Sequence, residues 1–196
     1  MAAWKELMPN ALVVHFVADA DTEASVLELC RSLDAGVAER IWRHAVVRID
    51  DAGDVSPDVH SIEHSHLDQS SPLTVHHIQS AAASGGRISW CSFELRALLV
   101  DCSLLHIHNP FTTSGEAAFA LGKNLTLKCV LDCSAIPVST TGWKWGMADL
   151  ADVITCKSDR RAVELRRDLK KTVCVLGNNG PDIGTRLSAV YADLMR

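Results

Sequence analysis

The sequence has no apolar run long enough to cross a membrane, and only 5% of its 196 residues are aromatic. Its longest apolar runs, such as residues 97–100 and 117–121, are far shorter than the roughly 20 residues of a membrane-spanning helix. A signal peptide is not expected, because residues 1–9 include Lys5 and Glu6 and no apolar segment. With 47% hydrophobic residues, the chain is predicted to fold as one globular domain.

Several signature motifs and an excess of positive charge are also missing. No GxGxxG follows the first predicted strand, and neither GxxxxGK[ST] nor GxSxG occurs, which argues against NAD binding, a P-loop and a serine hydrolase. Residues 1–98 carry 7 basic and 14 acidic side chains, residues 99–196 carry 12 and 10, and the net charge is −5. No nucleic-acid partner is expected, because such proteins concentrate positive charge.

The seven cysteines form an odd number, and several lie in apolar surroundings, including Cys30 and Cys174. Free buried thiols in a reducing compartment explain this better than a disulfide framework, so a cytoplasmic location is expected. Cys129 and Cys133 are spaced as zinc ligands can be, but no second pair of matching spacing follows. No metal site is therefore predicted from the cysteines.

Short β-branched runs alternate with segments of helical periodicity. This alternation predicts an α/β fold: a single Rossmann-like three-layer domain with a mostly parallel sheet of 6–7 strands. Asp21 or Thr22 is expected to cap the first helix, and the polar residues 50–71 are predicted to be a loop. Residues 1–176 are assigned to the domain, and residues 177–196 to a linker and a C-terminal helix that packs back on it. The predicted strands are residues 11–18, 44–49, 73–78, 103–108, 125–131, 152–155 and 172–176.

The end of the fourth predicted strand is the most informative place for chemistry. Ligands of open α/β sheets collect at the carboxyl ends of the strands. Alternation along a strand puts His106 and His108 on one face, and Pro110 sets where the chain leaves it. A helix that begins near Thr113, with Thr113 and Glu116 as a capping box and Gly122 as its end, follows directly.

Beside that helix, His108 can orient a hydroxyl or stabilise developing negative charge, and it is predicted to be catalytic. The alternative for both histidines is a core imidazole bonded to the backbone. Other polar residues at strand ends are candidates for substrate binding. With His106 they are Asn109, Asp19, Asp21, Asp132 and Ser158.

Two further clusters each have a functional and a structural interpretation. His60, His64 and His66, with His76 and His77, could form a zinc or nickel site, but a solvated loop is the preferred interpretation, and no metal is predicted. The basic stretch after Lys157 is either a solvated helix face or a contact for an anionic membrane or a phosphate, which would place the protein peripherally at the inner membrane face. The basic residues concerned are Arg160, Arg161, Arg166, Arg167 and Lys170.

Residues 98–182 resemble the N-terminal, acceptor-side half of family 4 glycosyltransferases, two-domain (GT-B) enzymes that transfer sugars from nucleotide donors. The matching positions are His106 and residues 108–110 at a strand end, Gly122 with Lys123, residues 152–154 with Ser158, and, loosely, residues 179–182. The resemblance implies that His108 lies in the acceptor cleft and faces the donor sugar. It also implies a role in polysaccharide or glycolipid biosynthesis, with a nucleotide sugar as co-substrate and no other cofactor.

The sequence departs from this family in three ways. Residues 19–22 (Asp-Ala-Asp-Thr) replace a glycine-rich loop, and their carboxylates would repel a diphosphate. Asp132 and Cys133 stand where the family has a histidine. The second domain is missing, although residues 185–195 resemble the family's returning C-terminal helix. We therefore expect a half-transferase that needs a separate nucleotide-sugar-binding subunit or a homodimer; the alternative is a non-catalytic accessory or interaction module.

Overall fold

The computed structural model describes residues 11–35, 42–51, 63–65, 73–80, 82–83, 87–88, 92–134, 143–169, 171–177 and 182–196. The chain alternates strands and helices over most of its length. The strands are β1 (Ala11–Val17), β2 (Trp42–Asp51), β3 (Glu63–Ser65), β4 (Leu73–Ser80), β5 (Ala82–Ala83), β6 (Arg87–Ile88), β7 (Leu104–Ile107), β8 (Lys128–Asp132), β9 (Val153–Cys156) and β10 (Val173–Val175). The helices are α1 (Ala20–Ala35), α2 (Ser92–Val100), α3 (Thr113–Asn124), α4 (Trp143–Leu150), α5 (Asp159–Asp168) and α6 (Asp182–Leu194).

Eight of the described strands form one sheet in the order β10-β9-β8-β7-β1-β2-β4-β3. All neighbours pair in parallel except β3 and β4. The predicted α/β Rossmann-like fold is therefore confirmed, with seven parallel strands and one short antiparallel edge strand. Because β2 extends to Asp51 and β3 also falls within residues 50–71, the prediction of a loop there was wrong for residues 50–51 and 63–65. β5 and β6 form a separate antiparallel pair.

The two faces of the sheet bury different helices. On one face, Leu99 of α2, Phe119 of α3 and Leu165 of α5 pack over Phe16 and Ile107 in the main apolar core. On the other face, α1 and α6 cover the centre of the sheet, and Tyr191 and Leu187 of α6 are fully buried there. This gives the three layers, with the C-terminal helix packed back on the domain. No helix in the described part of the chain is both long and apolar enough to span a bilayer.

Three predicted helix ends differ from the observed ones. The α3 cap is Thr112, whose hydroxyl accepts from Gly115 N at 3.1 Å, and not Thr113. α3 also continues through Gly122 to Asn124, because Gly122 is a packing residue: an added Cβ would come within 2.6 Å of Leu105 Cδ2. At α1, the Asp19 carboxylate accepts from Thr22 N at 2.7 Å, so Asp19 caps the helix that Asp21 or Thr22 was expected to cap.

The sequence analysis predicts no helix over α4, which contains Gly146 in its interior. Glycine costs about 1 kcal/mol relative to alanine in a helix, so local propensity is poor there. The helix is instead stabilised by burial of Met147 and Ala148 in the main core. Tertiary packing, and not local helix propensity, therefore determines that residues 143–150 form a helix.

Gly122→Ala is expected to destabilise the protein by about 1–3 kcal/mol, because the new methyl group overpacks against Leu105, which is fully buried. Gly146→Ala is the matched control: nothing lies within 4 Å of its added Cβ, so the better helix former should stabilise by up to about 1 kcal/mol. Urea unfolding of both variants measures this. Equal and small effects would contradict a packing role for Gly122.

Asp152 joins α3, β8 and the start of β9. Its carboxylate accepts from Lys123 Nζ at 2.6 Å and from Cys129 N at 2.8 Å. Burial alone raises the pKa of Asp152, but these two hydrogen bonds outweigh it and lower the pKa below its ordinary value. The charged form is therefore the one that the fold stabilises.

Asp152→Asn should lower the free energy of unfolding at neutral pH, because it removes a charge-assisted hydrogen bond worth about 1.5–3 kcal/mol. A pKa that is lower in the folded state contributes stability above its unfolded value of about 4, and this contribution is lost as the pH falls through the folded pKa. The difference between wild type and variant should shrink at acid pH. Denaturant unfolding across a pH series measures it, and a difference that grows towards low pH would contradict the assignment.

Candidate functional site

The site lies where the connections from neighbouring strands diverge. β1 and β7 are adjacent and parallel, but α1 leaves β1 over one face, while α3 leaves β7 towards the other. A crevice opens at such a switch point, outside the carboxyl ends of the strands. A cavity of about 540 Å³ lies there, between α1, the ends of β7 and β8, and the beginning of α6. Of the predicted site residues, His106, His108, Asn109, Asp132 and Asp21 line it.

His108 follows β7 directly, and only 4% of it is exposed. Its backbone N–H donates to Phe16 O at 2.9 Å, which fixes the residue against β1. Its Nε2 lies 3.2 Å from His15 Nδ1, and its Nδ1 lies 3.8 Å from Asp132 Oδ2. The second distance is too long for a direct hydrogen bond but suits a hydroxyl group that contacts both atoms.

Asp132 ends β8, and its side chain is 17% exposed towards the cavity. Its Oδ1 accepts hydrogen bonds from the Ser134 hydroxyl and from Ser134 N, the latter at 2.9 Å. Burial alone raises the pKa of Asp132, but the contact with His108 and the Ser134 hydroxyl hold the pKa well below its ordinary range. The carboxylate is therefore charged throughout the neutral pH range, next to the imidazole of His108.

Asn109 turns the chain away from the site with a φ of 55°, a conformation that asparagine tolerates better than most residues. Its side-chain amide donates to Asp19 Oδ2 at 2.8 Å and to Thr22 Oγ1 at 2.7 Å, so both amide hydrogens are used. Gly115 lets this turn approach α3, since an added Cβ would lie 2.8 Å from Asn109 O. Asn109 thus ties the end of β7 to the start of α1.

Two histidines that the sequence analysis did not single out extend the site into the core. His15 of β1 is paired in register with His106, and His44 of β2 with Val13, so all of these side chains lie on the α1–α6 face. His15 Nε2 lies 3.0 Å from His44 Nδ1. His15 had a signal in the sequence, because it is the one polar residue of β1. His44 had none, because β2 also contains Arg43 and Arg48.

His106 is fully buried, and its Nδ1 hydrogen-bonds with the Tyr191 hydroxyl of α6 at 2.7 Å. Its other nitrogen, Nε2, has no hydrogen-bond partner among the described residues, and neither has His44 Nε2. Burial lowers the pKa of His15 and His106 well below the ordinary value and that of His44 to about 4. Burial also raises the pKa of Tyr191. His15, His44 and His106 are therefore neutral at physiological pH.

Other predicted residues lie at the margin of the site or away from it. The Asp19 carboxylate caps α1 and accepts a hydrogen bond from the Asn109 amide. Hydrogen bonds from Thr22 and Asn109 lower the pKa of Asp19, and the opposing effect of burial is smaller. Ser158 does not line the cavity but caps α5, accepting from Arg161 N at 3.3 Å. Its neighbour Lys157 does line the cavity.

The basic residues of α5 do not line the cavity, and each described one has a partner. Arg160 and Arg161 pair with Glu164, Arg166 donates to Val173 O, and Arg167 pairs with Asp168. Lys170 lies outside the described residues. A membrane or phosphate contact by this face stays a prediction.

The structure describes only some of the histidines between residues 60 and 77. His77 Nε2 contacts both carboxylate oxygens of Glu23, at 2.9 and 3.1 Å, and His76 Nε2 lies 3.2 Å from the Thr74 hydroxyl. His60 and His66 lie outside the described residues. In the described part of the chain, the groups of three potential ligands are found at the buried cluster and not at these histidines.

The chain is a Rossmann-like α/β domain with a cavity at the switch point of its sheet. No protein-family model matches the chain, and no curated protein does. A solved structure of sucrose-phosphate synthase from Thermosynechococcus elongatus is similar, with a TM-score of 0.53 at 15% identity over 94% of this chain and 99% of that chain. The chain therefore shares the fold of that structure.

Tyr191→Phe is expected to destabilise the protein by about 1–3 kcal/mol, because it leaves a second nitrogen of the buried His106 without a partner. Ser188→Ala is the matched hydroxyl deletion on α6. It removes the acceptor of the Trp42 indole N–H, 3.2 Å away at a partly buried place, and should cost less. Thermal and urea unfolding compare them, and equal losses would contradict a special role for the His106–Tyr191 bond.

Proposed function

We propose that this chain is the acceptor-side half of a nucleotide-sugar-dependent glycosyltransferase, and that its cavity binds an uncharged, hydroxyl-rich acceptor. The observation that carries the proposal is the gap between His108 Nδ1 and Asp132 Oδ2 at the floor of that cavity. The likeness in fold to a sucrose-phosphate synthase supports the class of reaction.

The charges around the cavity favour a neutral ligand over a diphosphate. Three carboxylates line it, from Asp21, Glu28 and Asp132, against the one ammonium group of Lys157 among the described lining residues. Carboxylates accept hydrogen bonds from sugar hydroxyls but repel phosphate groups. This arrangement suits an acceptor sugar better than a nucleotide.

His108 and Asp132 would act together on the acceptor. With the proton of His108 on Nε2, facing His15 Nδ1, its Nδ1 is free to accept the proton of a bound hydroxyl. The acceptor oxygen then bonds to the anomeric carbon of the donor sugar as the nucleoside diphosphate leaves. The charged Asp132 stabilises the imidazolium that forms, and Asn109 fixes the end of β7 on which His108 depends.

The donor would come from another domain or chain. A helix N-terminus is a natural phosphate site, but at α1 the Asp19 carboxylate already accepts the free N–H of Thr22. This occupied N-terminus supports a half-transferase that needs a nucleotide-sugar-binding partner.

A non-catalytic accessory or interaction module is the second candidate. The occupied N-terminus of α1 and the exposed Asp21 beside it favour this role, because both oppose donor phosphates even if a partner brings them close. Such a module would keep the fold without needing an acceptor. Ligand binding separates the two candidates.

The binding test uses saturation-transfer NMR with glucose and sucrose as uncharged probes on the full chain. We expect a signal from the wild type, a signal reduced at least about tenfold in Asp132→Asn, and no change in Asp193→Asn, an exposed carboxylate of α6. In a thermal-shift screen, UDP-, GDP- and ADP-glucose should not stabilise the chain.

The outcomes separate the alternatives. Sugar binding that survives in Asp132→Asn would remove this residue from the acceptor site, and no binding of any sugar would favour the accessory module. Stabilisation by a nucleotide sugar below millimolar concentration would contradict a missing donor site.

With a donor-binding partner present, His108→Gln should lower the transfer rate by about 100-fold or more.

A further inference from the structure

Three buried imidazoles meet at the inner end of the cavity. One nitrogen from each of His15, His106 and His108 lies within 4.8 Å of the others, and all three residues are buried. His15 and His106 lie in direct register on adjacent strands, and His108 directly follows the second of these strands. The hydrogen bond from His108 N to Phe16 O holds it against β1, so the pairing of β1 and β7 sets the position of all three rings.

The spacing of these nitrogens fits a metal ion. Zn–N bonds of about 2.0–2.1 Å in a tetrahedral site separate neighbouring ligand nitrogens by about 3.3 Å. His15 Nδ1 and His108 Nε2 are 3.2 Å apart. An ion bound to both would replace the contact of these two nitrogens by two metal–nitrogen bonds.

His106 supplies the independent sign of a ligand. Its Nδ1 is held by Tyr191, and its Nε2 is buried with no hydrogen-bond partner among the described residues. Buried polar atoms without partners are rare in native proteins and call for an explanation such as an ion. A metal ion bound to Nε2 would satisfy this atom.

The groups behind the three rings are those expected around metal-binding histidines. Such histidines usually bond through their second nitrogen to a carboxylate or another polar group, which fixes the ring orientation. Here the three second nitrogens face Tyr191 at 2.7 Å, His44 at 3.0 Å and the charged Asp132 at 3.8 Å. Asp132 also offsets part of the charge of a divalent ion.

We propose that His15, His106 and His108 bind a divalent transition-metal ion, with Zn²⁺ as the expected ion. Three imidazoles are a known ligand set for zinc, and His106 and His108 line the cavity, so the fourth position would be open to a water or hydroxyl ligand. The inference goes beyond the proposed function and does not rest on it. An ion on His108 Nε2 would leave Nδ1 protonated towards Asp132, so the ion-bound chain could not use His108 as proton acceptor.

The test is metal titration of the full chain after removal of metals with a chelator. Zn²⁺ binding is followed by calorimetry, and Co²⁺ binding by its visible absorption. We expect one equivalent to bind at this site, with a tetrahedral cobalt spectrum that lacks the thiolate charge-transfer band. His106→Gln should weaken binding at least about 100-fold, whereas His76→Gln, a histidine outside the cluster, should leave it unchanged.

Cys30→Ser examines the neighbouring group of His15, Cys30 and His44, which are also close enough to share an ion. Loss of binding in this variant, or a thiolate band with cobalt, would move the site there and overturn the proposal. Binding that is unchanged in His106→Gln, or no binding at all, would also overturn it. If His106→Gln does not fold, NMR of the histidine side chains in the wild type decides: Zn²⁺ must shift one nitrogen in each of His15, His106 and His108.

Discussion

Four imidazole rings are buried on one face of a parallel sheet, at positions where neighbouring strands carry valine and leucine. Burying a polar ring costs free energy unless its nitrogens have partners, so these histidines constrain everything packed against them. His15 lies at the centre, between His44 and His108, and His106 beside it is held by Tyr191. The C-terminal helix therefore does more than cover apolar surface: it supplies the hydroxyl that one of the rings requires.

The same histidines connect the core to the cavity. His108 is the last ring of the chain of contacts and faces Asp132, whose charge is maintained by its own hydrogen bonds. Outwards from the core, the neutral rings of His15, His44 and His106 are followed by the Asp132 carboxylate and then by Asp21 and Glu28 of α1. This distribution of charge favours the hydroxyl-bearing ligand or the metal ion that we propose over a diphosphate.

The geometry at the start of α1 disfavours a phosphate at this helix N-terminus. In many Rossmann-like proteins the N-terminus of the first helix points its free N–H groups at a phosphate. In this chain Asp19 accepts one of these groups and also receives the amide of Asn109. The contact that holds β7 to α1 thus occupies the position that a phosphate takes in those proteins.

The order of strands and helices, and the placement of His106 and His108 on one face, could be predicted from the sequence because both follow from local periodicity. Apolar runs and alternation are properties of neighbouring residues. The predictions of helix ends and helices were wrong where contacts between distant residues determine the structure. Gly122 does not end α3, because it packs against Leu105. α4 forms because Met147 and Ala148 are buried in the main core. His15, His44 and Tyr191 come from three distant segments, and only strand order, register and the return of α6 bring them together. The sequence by itself thus determined the fold class and one edge of the site; the tertiary structure decided the histidine cluster, because contacts across 29 to 93 positions of the chain leave no local pattern.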